Sequence, residues 1–112
     1  MLFSGKDDLI QTSSILHDYW FDLDSVMYNQ RDNKVVISFF ETKRKLQQKQ
    51  PQHILIIRNV KDIEIKDKEK VGFYDLESID FDSNLKKITI NGNIPLTIGI
   101  YVTGLNTELI QI

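Results

Sequence analysis

A chain of 112 residues, 41% hydrophobic and 27% charged, is long enough to close one self-sufficient core and too apolar to stay disordered. It has no cysteine, which excludes disulfides, thiolate catalysis and Cys-based zinc or iron–sulfur centres. Its formal net charge of −2 is too mild to create a polyanion-binding surface.

The opening MLFSGKDDLI places Lys6, Asp7 and Asp8 where a secretion signal needs an unbroken apolar stretch. No apolar run reaches the roughly 20 residues of a membrane-spanning helix. Together these features predict a cytoplasmic protein without membrane contact. Residues 6–16 can form a short helix, Leu9, Ile10 and Ser13 being followed by Leu16, although its serines and β-branched residues are weak helix formers. The next stretch, LHDYWFDLD at 16–24, packs one His, three Asp and three aromatics into nine positions. Phe21 and Leu23 alternate with Asp22 and Asp24, which predicts aromatics in the core and acids on the wet face.

Further on, KVVISFF (34–40) and HILII (53–57) are apolar on both faces, as strands central to a sheet or covered on both sides would be. Between them ETKRKLQQKQPQ, residues 41–52, has good helix formers but only Leu46 to bury, and so predicts a long, mobile hairpin connection. KDIEIKDKEK (61–70) sets Ile63 and Ile65 against Asp62, Glu64 and Lys66, the pattern of an edge strand whose charges discourage stray pairing. The clearest alternation is IPLTIGIYV, with Ile94, Leu96, Ile98, Ile100 and Val102 on one face and Thr97, Gly99 and Tyr101 on the other. Turn residues fall at Asp32-Asn33, Ser83-Asn84, Asn91-Gly92-Asn93 and Gly104 with Asn106. Strands and turns alternating every 8 to 12 residues or so are the all-β signature.

Shifted by the 53 positions that separate Phe21 from Tyr74, FDLDSVMYNQRDNKVVIS (21–38) lies without a gap on YDLESIDFDSNLKKITIN (74–91). Asp22/Asp75, Leu23/Leu76, Ser25/Ser78, Lys34/Lys87 and Ile37/Ile90 are identical, and Phe21/Tyr74, Asp24/Glu77, Val26/Ile79 and Tyr28/Phe81 are conservative. The expectation is a single β-rich domain over 1–112, all-β, with about eight mostly antiparallel strands. They form two repeated four-stranded units, about 19–66 and 72–112, arranged as a sandwich or flattened barrel behind a short helical or irregular N-terminal segment. Each unit buries an apolar face that it cannot cover alone. An acid that occurs in both copies is expected to do a structural job, ending a strand or capping a turn.

His17 and Asp18 have no counterpart in the second copy, where Lys70 and Val71 stand. They could be a base with its orienting carboxylate, or two metal ligands. Neighbouring side chains, however, point to opposite faces of a strand and diverge by about 100° on a helix. The other histidine, His53, opens a strand, and no His-x-x-x-His spacing, calcium loop, G-x-S-x-G elbow or glycine-rich phosphate loop occurs. No catalytic residue, metal ligand or cofactor is therefore predicted, and His17 is expected to be hydrogen-bonded at the core edge beside Trp20. The basic loop interleaves Lys43, Arg44, Lys45 and Lys49 with glutamines and has no aromatic for base stacking, which argues against nucleic acid; it reads as a solvated loop kept soluble by its charges or, alternatively, as a contact for an acidic protein partner. The candidate partner-binding residues are His17, Asp18, Trp20, Lys43, Arg44, Lys45 and Lys49. The alternative is a small hydrolase or metal-binding protein centred on His17 and Asp18.

Leu-His-Asp, an aromatic pair, strand, turn, strand, long loop, a strand ending in Asn-Val, then an acidic strand: this order resembles small bacterial β-rich families of unknown function, including immunity-protein-like ones that neutralise a toxin from a competing cell. The resemblance spans most of the chain and transfers no functional residue. It implies a stoichiometric binding protein rather than a catalyst. Self-association through a sheet edge is a further expectation.

Overall fold

The computed structural model describes residues 2–3 and 6–112, with side chains from Leu9 onward. Alternating apolar residues become strands and turn residues become their connections. In chain order the elements are β1 (Leu2–Phe3), α1 (Lys6–Leu16), β2 (Trp20–Asp22), a 3-10 turn (Leu23–Ser25), β3 (Met27–Asn29), β4 (Lys34–Phe39), α2 (Lys43–Gln47), β5 (His53–Ile57), β6 (Val60–Lys66), β7 (Phe73–Asp82), β8 (Lys87–Gly92), β9 (Leu96–Val102) and β10 (Thr107–Gln111). They make two five-stranded antiparallel sheets, β1-β10-β5-β4-β3 and β2-β7-β8-β9-β6. The sheets pack face to face and are joined at one corner, where Trp20 and Phe40 exchange backbone hydrogen bonds of 2.7 Å. Among the described residues no helix is long and apolar enough to cross a membrane.

The core lies between the sheets. Phe21, Phe39, Ile37, Tyr74, Ile90 and Ile100 are fully buried, and each such side chain contributes roughly 1.5–3 kcal/mol. Phe21 packs edge-on against Phe39 at 5.5 Å and faces Tyr74 directly across the β2–β7 ladder. β4 and β5 are central strands, as their sequences imply. Their outward residues Val36, Ile54 and Ile56 are half-buried, shielded by neighbours in the sheet rather than by another layer.

α1 persists for tertiary reasons. Leu9 and Leu16 are buried against the sandwich, while Ile10 remains exposed. β2 pairs with β7 only through Phe73–Asp75, which leaves the remaining length of β7 as an open edge. The N-terminal segment closes it. Leu76 N donates to Tyr19 O at 2.8 Å, Asp18 N to Leu76 O at 2.9 Å, and Ile79 N to Ser13 Oγ at 2.9 Å. The His17 ring N–H donates from Nδ1 to Glu77 O, also at 2.9 Å. A helix with little intrinsic preference is held because it satisfies backbone groups that a missing strand would have satisfied.

The two sheets meet face to face, as expected for a sandwich, and each half lends its last strand to the other half's sheet. β3, β4 and β5 form a meander, but β6 crosses to the other sheet beside β9. β7, β8 and β9 repeat the meander, and β10 crosses back to lie beside β5. Each half therefore closes the other's sheet, and neither apolar face is left for its own last strand to cover. Positions 53 apart carry matching geometry. β4 and β8 have matching bounds, Asn33 and Lys86 both take a positive φ (53° and 50°), and the preceding turns are capped alike. Asn29 Oδ1 accepts from Arg31 N and Asp32 N, as Asp82 Oδ1 accepts from Asn84 N and Leu85 N. The 3-10 turn at Leu23–Ser25 breaks into β2 and β3 the strand that runs unbroken as β7.

The connection 41–52 is not the structureless loop that its composition suggests, for it carries α2. Thr42 caps the helix by accepting from Lys45 N, Lys45 pairs with Glu41 at 3.1 Å, and Leu46 is half-buried. One apolar side chain and a cap suffice for a single helical turn anchored at both ends.

Candidate functional site

His17 and Asp18 converge after all. The His17 Nε2 to Asp18 Oδ2 distance is 3.6 Å, because Asp18 adopts φ 66° and its side chain swings back instead of continuing a strand or helix. Asp18 Oδ1 accepts from the Asn93 side-chain amide at 3.3 Å, and the same amide donates to Asp75 Oδ2 at 3.1 Å. Both His17 and Asp18 lie open to solvent, at 54% and 71% side-chain exposure, so no dry cavity shields a reacting group there. Asp22 stands apart from this group. Its carboxylate caps the 3-10 turn, accepting from Asp24 N at 3.0 Å. Asp75 likewise accepts backbone donation, from Ile94 N.

Trp20 sits on the outer face of the β2 edge, opposite Asp75 in the ladder. Its ring lies 6.1 Å from that of Phe73. Lys43, from the first turn of α2, places its ammonium 4.4 Å over the Phe73 ring and 5.9 Å over Trp20. Two of the candidate residues, far apart in the chain, thus form one cation–aromatic cluster. The other loop cations differ. Arg44 is exposed, Lys45 is engaged with Glu41, and Lys49 lines a pocket of about 400 Å³ with Asp22, Asp24, Ser25, Ser38 and Leu46.

Phe73 and Asn93 escape a reading by motif. Phe73 had a signal: it lies 53 positions after Trp20, one column before the matched segments begin. His53 is a second surprise. It is buried beside a pocket of about 520 Å³ lined by Ile15, Leu109 and Ile110, with Tyr19 edge-on at 5.3 Å and no hydrogen-bond partner for its Nδ1 among the described residues. Burial pushes its pKa below the usual imidazole value, and the nearby Glu41 carboxylate opposes that shift. Burial also raises the Tyr74 phenol, and its hydrogen bond to Asp67 adds to the effect. Among the described residues no three His, Asp or Glu side chains are grouped to hold a metal ion. Comparison with protein-family models, with curated proteins and with solved structures finds no match to this chain.

Proposed function

We propose that this chain is a non-enzymatic cytoplasmic interaction module, immunity-like in that it binds a protein stoichiometrically. Its contact surface is the face carrying Trp20, Phe73 and Lys43, flanked by His17 and Asp18. The observation that carries the reading is the Lys43 ammonium over two outward aromatics. Tryptophan on a rigid sheet supplies large contact area at little entropic cost, and such anchors dominate binding energy at protein interfaces. The flanking carboxylates and imidazole supply a polar rim. The matching turns 53 positions apart support a duplicated unit as the origin of the scaffold, with the unmatched His17–Asp18 segment and α2 added to one copy. A hydrolase or metal site at His17 and Asp18 has their 3.6 Å contact in its favour, but their exposure speaks against it.

The test is capture from the native cell on immobilised chain, read by mass spectrometry, with wild type beside Lys43→Glu and Trp20→Ala. A partner retained in stoichiometric amount by wild type and lost by both variants supports the proposal. No partner, or capture indifferent to both substitutions, refutes it.

A further inference from the structure

β6 is the outermost strand of its sheet, held by β9 on one side; on the other, Val60 N donates to the Asn33 carbonyl at 2.8 Å and, among the described residues, no strand pairs with Asp62–Lys66. Ile65 is 45% exposed although its ladder partner Ile98 is fully buried, and Asp62, Glu64 and Lys66 are exposed as well. Charges on an edge strand ordinarily repel other strands. Here their order selects one.

We propose that β6 is a self-recognition edge: two copies of this chain pair β6 to β6, antiparallel, about a two-fold axis at Glu64. Alternate residues of an edge strand turn their N–H and C=O groups outward. The Ile63 N–H donates to the Asp62 carboxylate at 2.9 Å, which marks the odd-numbered residues as the outward set. Odd residues must then face odd residues, so few registers remain. Centred on Ile63, Asp62 faces Glu64 twice, which is repulsive. Centred on Ile65, only residues 64–66 overlap within the strand. Centred on Glu64, Asp62 faces Lys66 twice and Ile63 faces Ile65 twice, over five residues. The one like pair is Glu64 on itself, and each Glu64 carboxylate already lies 3.4 Å from its own Lys66 Nζ. In this register the Ile63 N–H passes from Asp62 to the Ile65 carbonyl of the second copy, Ile65 is covered, and the interface is isologous. The β2 edge with Trp20 lies at the opposite side of the sheet and stays free, so this inference is independent of the function proposed above.

Sedimentation velocity of the full chain over a concentration series tests it. Wild type is expected to show a monomer–dimer equilibrium. Asp62→Lys and Lys66→Asp each set like charges opposite one another twice and should weaken self-association by about tenfold or more. Mixed together, the two single variants should pair with each other, because the opposed charges then differ in sign. Glu64→Gln should tighten the dimer. The chain has no cysteine, so Glu64→Cys supplies one thiol per copy and should yield a disulfide-linked dimer on mild oxidation. A wild type that stays monomeric throughout overturns the proposal. A dimer unmoved by the charge changes, a mixture of the two variants that stays monomeric, or a failure to cross-link does the same.

Discussion

Ser13 is the sharpest test of how α1 is held. Its Oγ accepts from the N–H of Ile79, a residue only 2% exposed on the stretch of β7 that β2 does not reach. Ser13→Ala leaves that N–H without its acceptor, a loss of about 1–3 kcal/mol, while alanine returns up to about 0.7 kcal/mol of helix propensity. Ser14 is next to it on the same helix and exposed, so Ser14→Ala takes the propensity gain alone. The difference between the two variants therefore isolates the hydrogen bond and should be about 1–3 kcal/mol in urea unfolding followed by the fluorescence of Trp20, the only tryptophan. In thermal unfolding a chain of this length shifts about 4 °C per kcal/mol, which puts the two midpoints roughly 4–12 °C apart. Equal stability of Ser13→Ala and Ser14→Ala would refute the view that α1 substitutes for a strand.

Four other outcomes follow from the same contacts. Burial lowers the His53 pKa, so as the pH drops through about 6.5 the unfolded chain binds a proton more readily than the folded one; stability should fall over that range, and less so in His53→Leu, by urea titration at each pH. Gly92→Ala would bring a Cβ within 2.7 Å of the Ile94 carbonyl oxygen and should cost about 1–3 kcal/mol in the same assay. Phe21→Ala empties the centre of the Phe39–Phe21–Tyr74 stack and should cost about 3–5 kcal/mol, enough to leave a domain of this size marginal by calorimetry. Lys43→Ala should cost under about 1 kcal/mol while changing the Trp20 emission, which separates its surface role from any role in folding.

Much of the fold is legible in neighbouring residues. Leu96, Ile98, Ile100 and Val102 alternate in the sequence and are all buried, with Thr97 and Tyr101 half-buried between them, because a strand's side-chain period is a local property of its backbone; Gly99 alone departs, buried beneath Lys87. The turns before β4 and β8 were marked by Asp32-Asn33 and Ser83-Asn84, although the side chains that cap their N–H groups are those of Asn29 and Asp82, just before them. Asp22 caps its own 3-10 turn for the same local reason, whereas Asp75 bonds Asn93 and Ile94 from a distant turn. Tertiary structure alone decided the rest. That β6 and β10 change sheets depends on which distant strand offers an unpaired edge and an uncovered apolar face, and no window of the sequence contains both. The 3.6 Å approach of His17 to Asp18 depends on a positive φ that the residue types do not demand. Lys43 reaches Trp20 and Phe73 because α2 and β2 meet at the corner where the two sheets join. Periodicity and capping are written over a few residues and can be read there; burial is shared among segments far apart, and only the closed chain determines which of them meet.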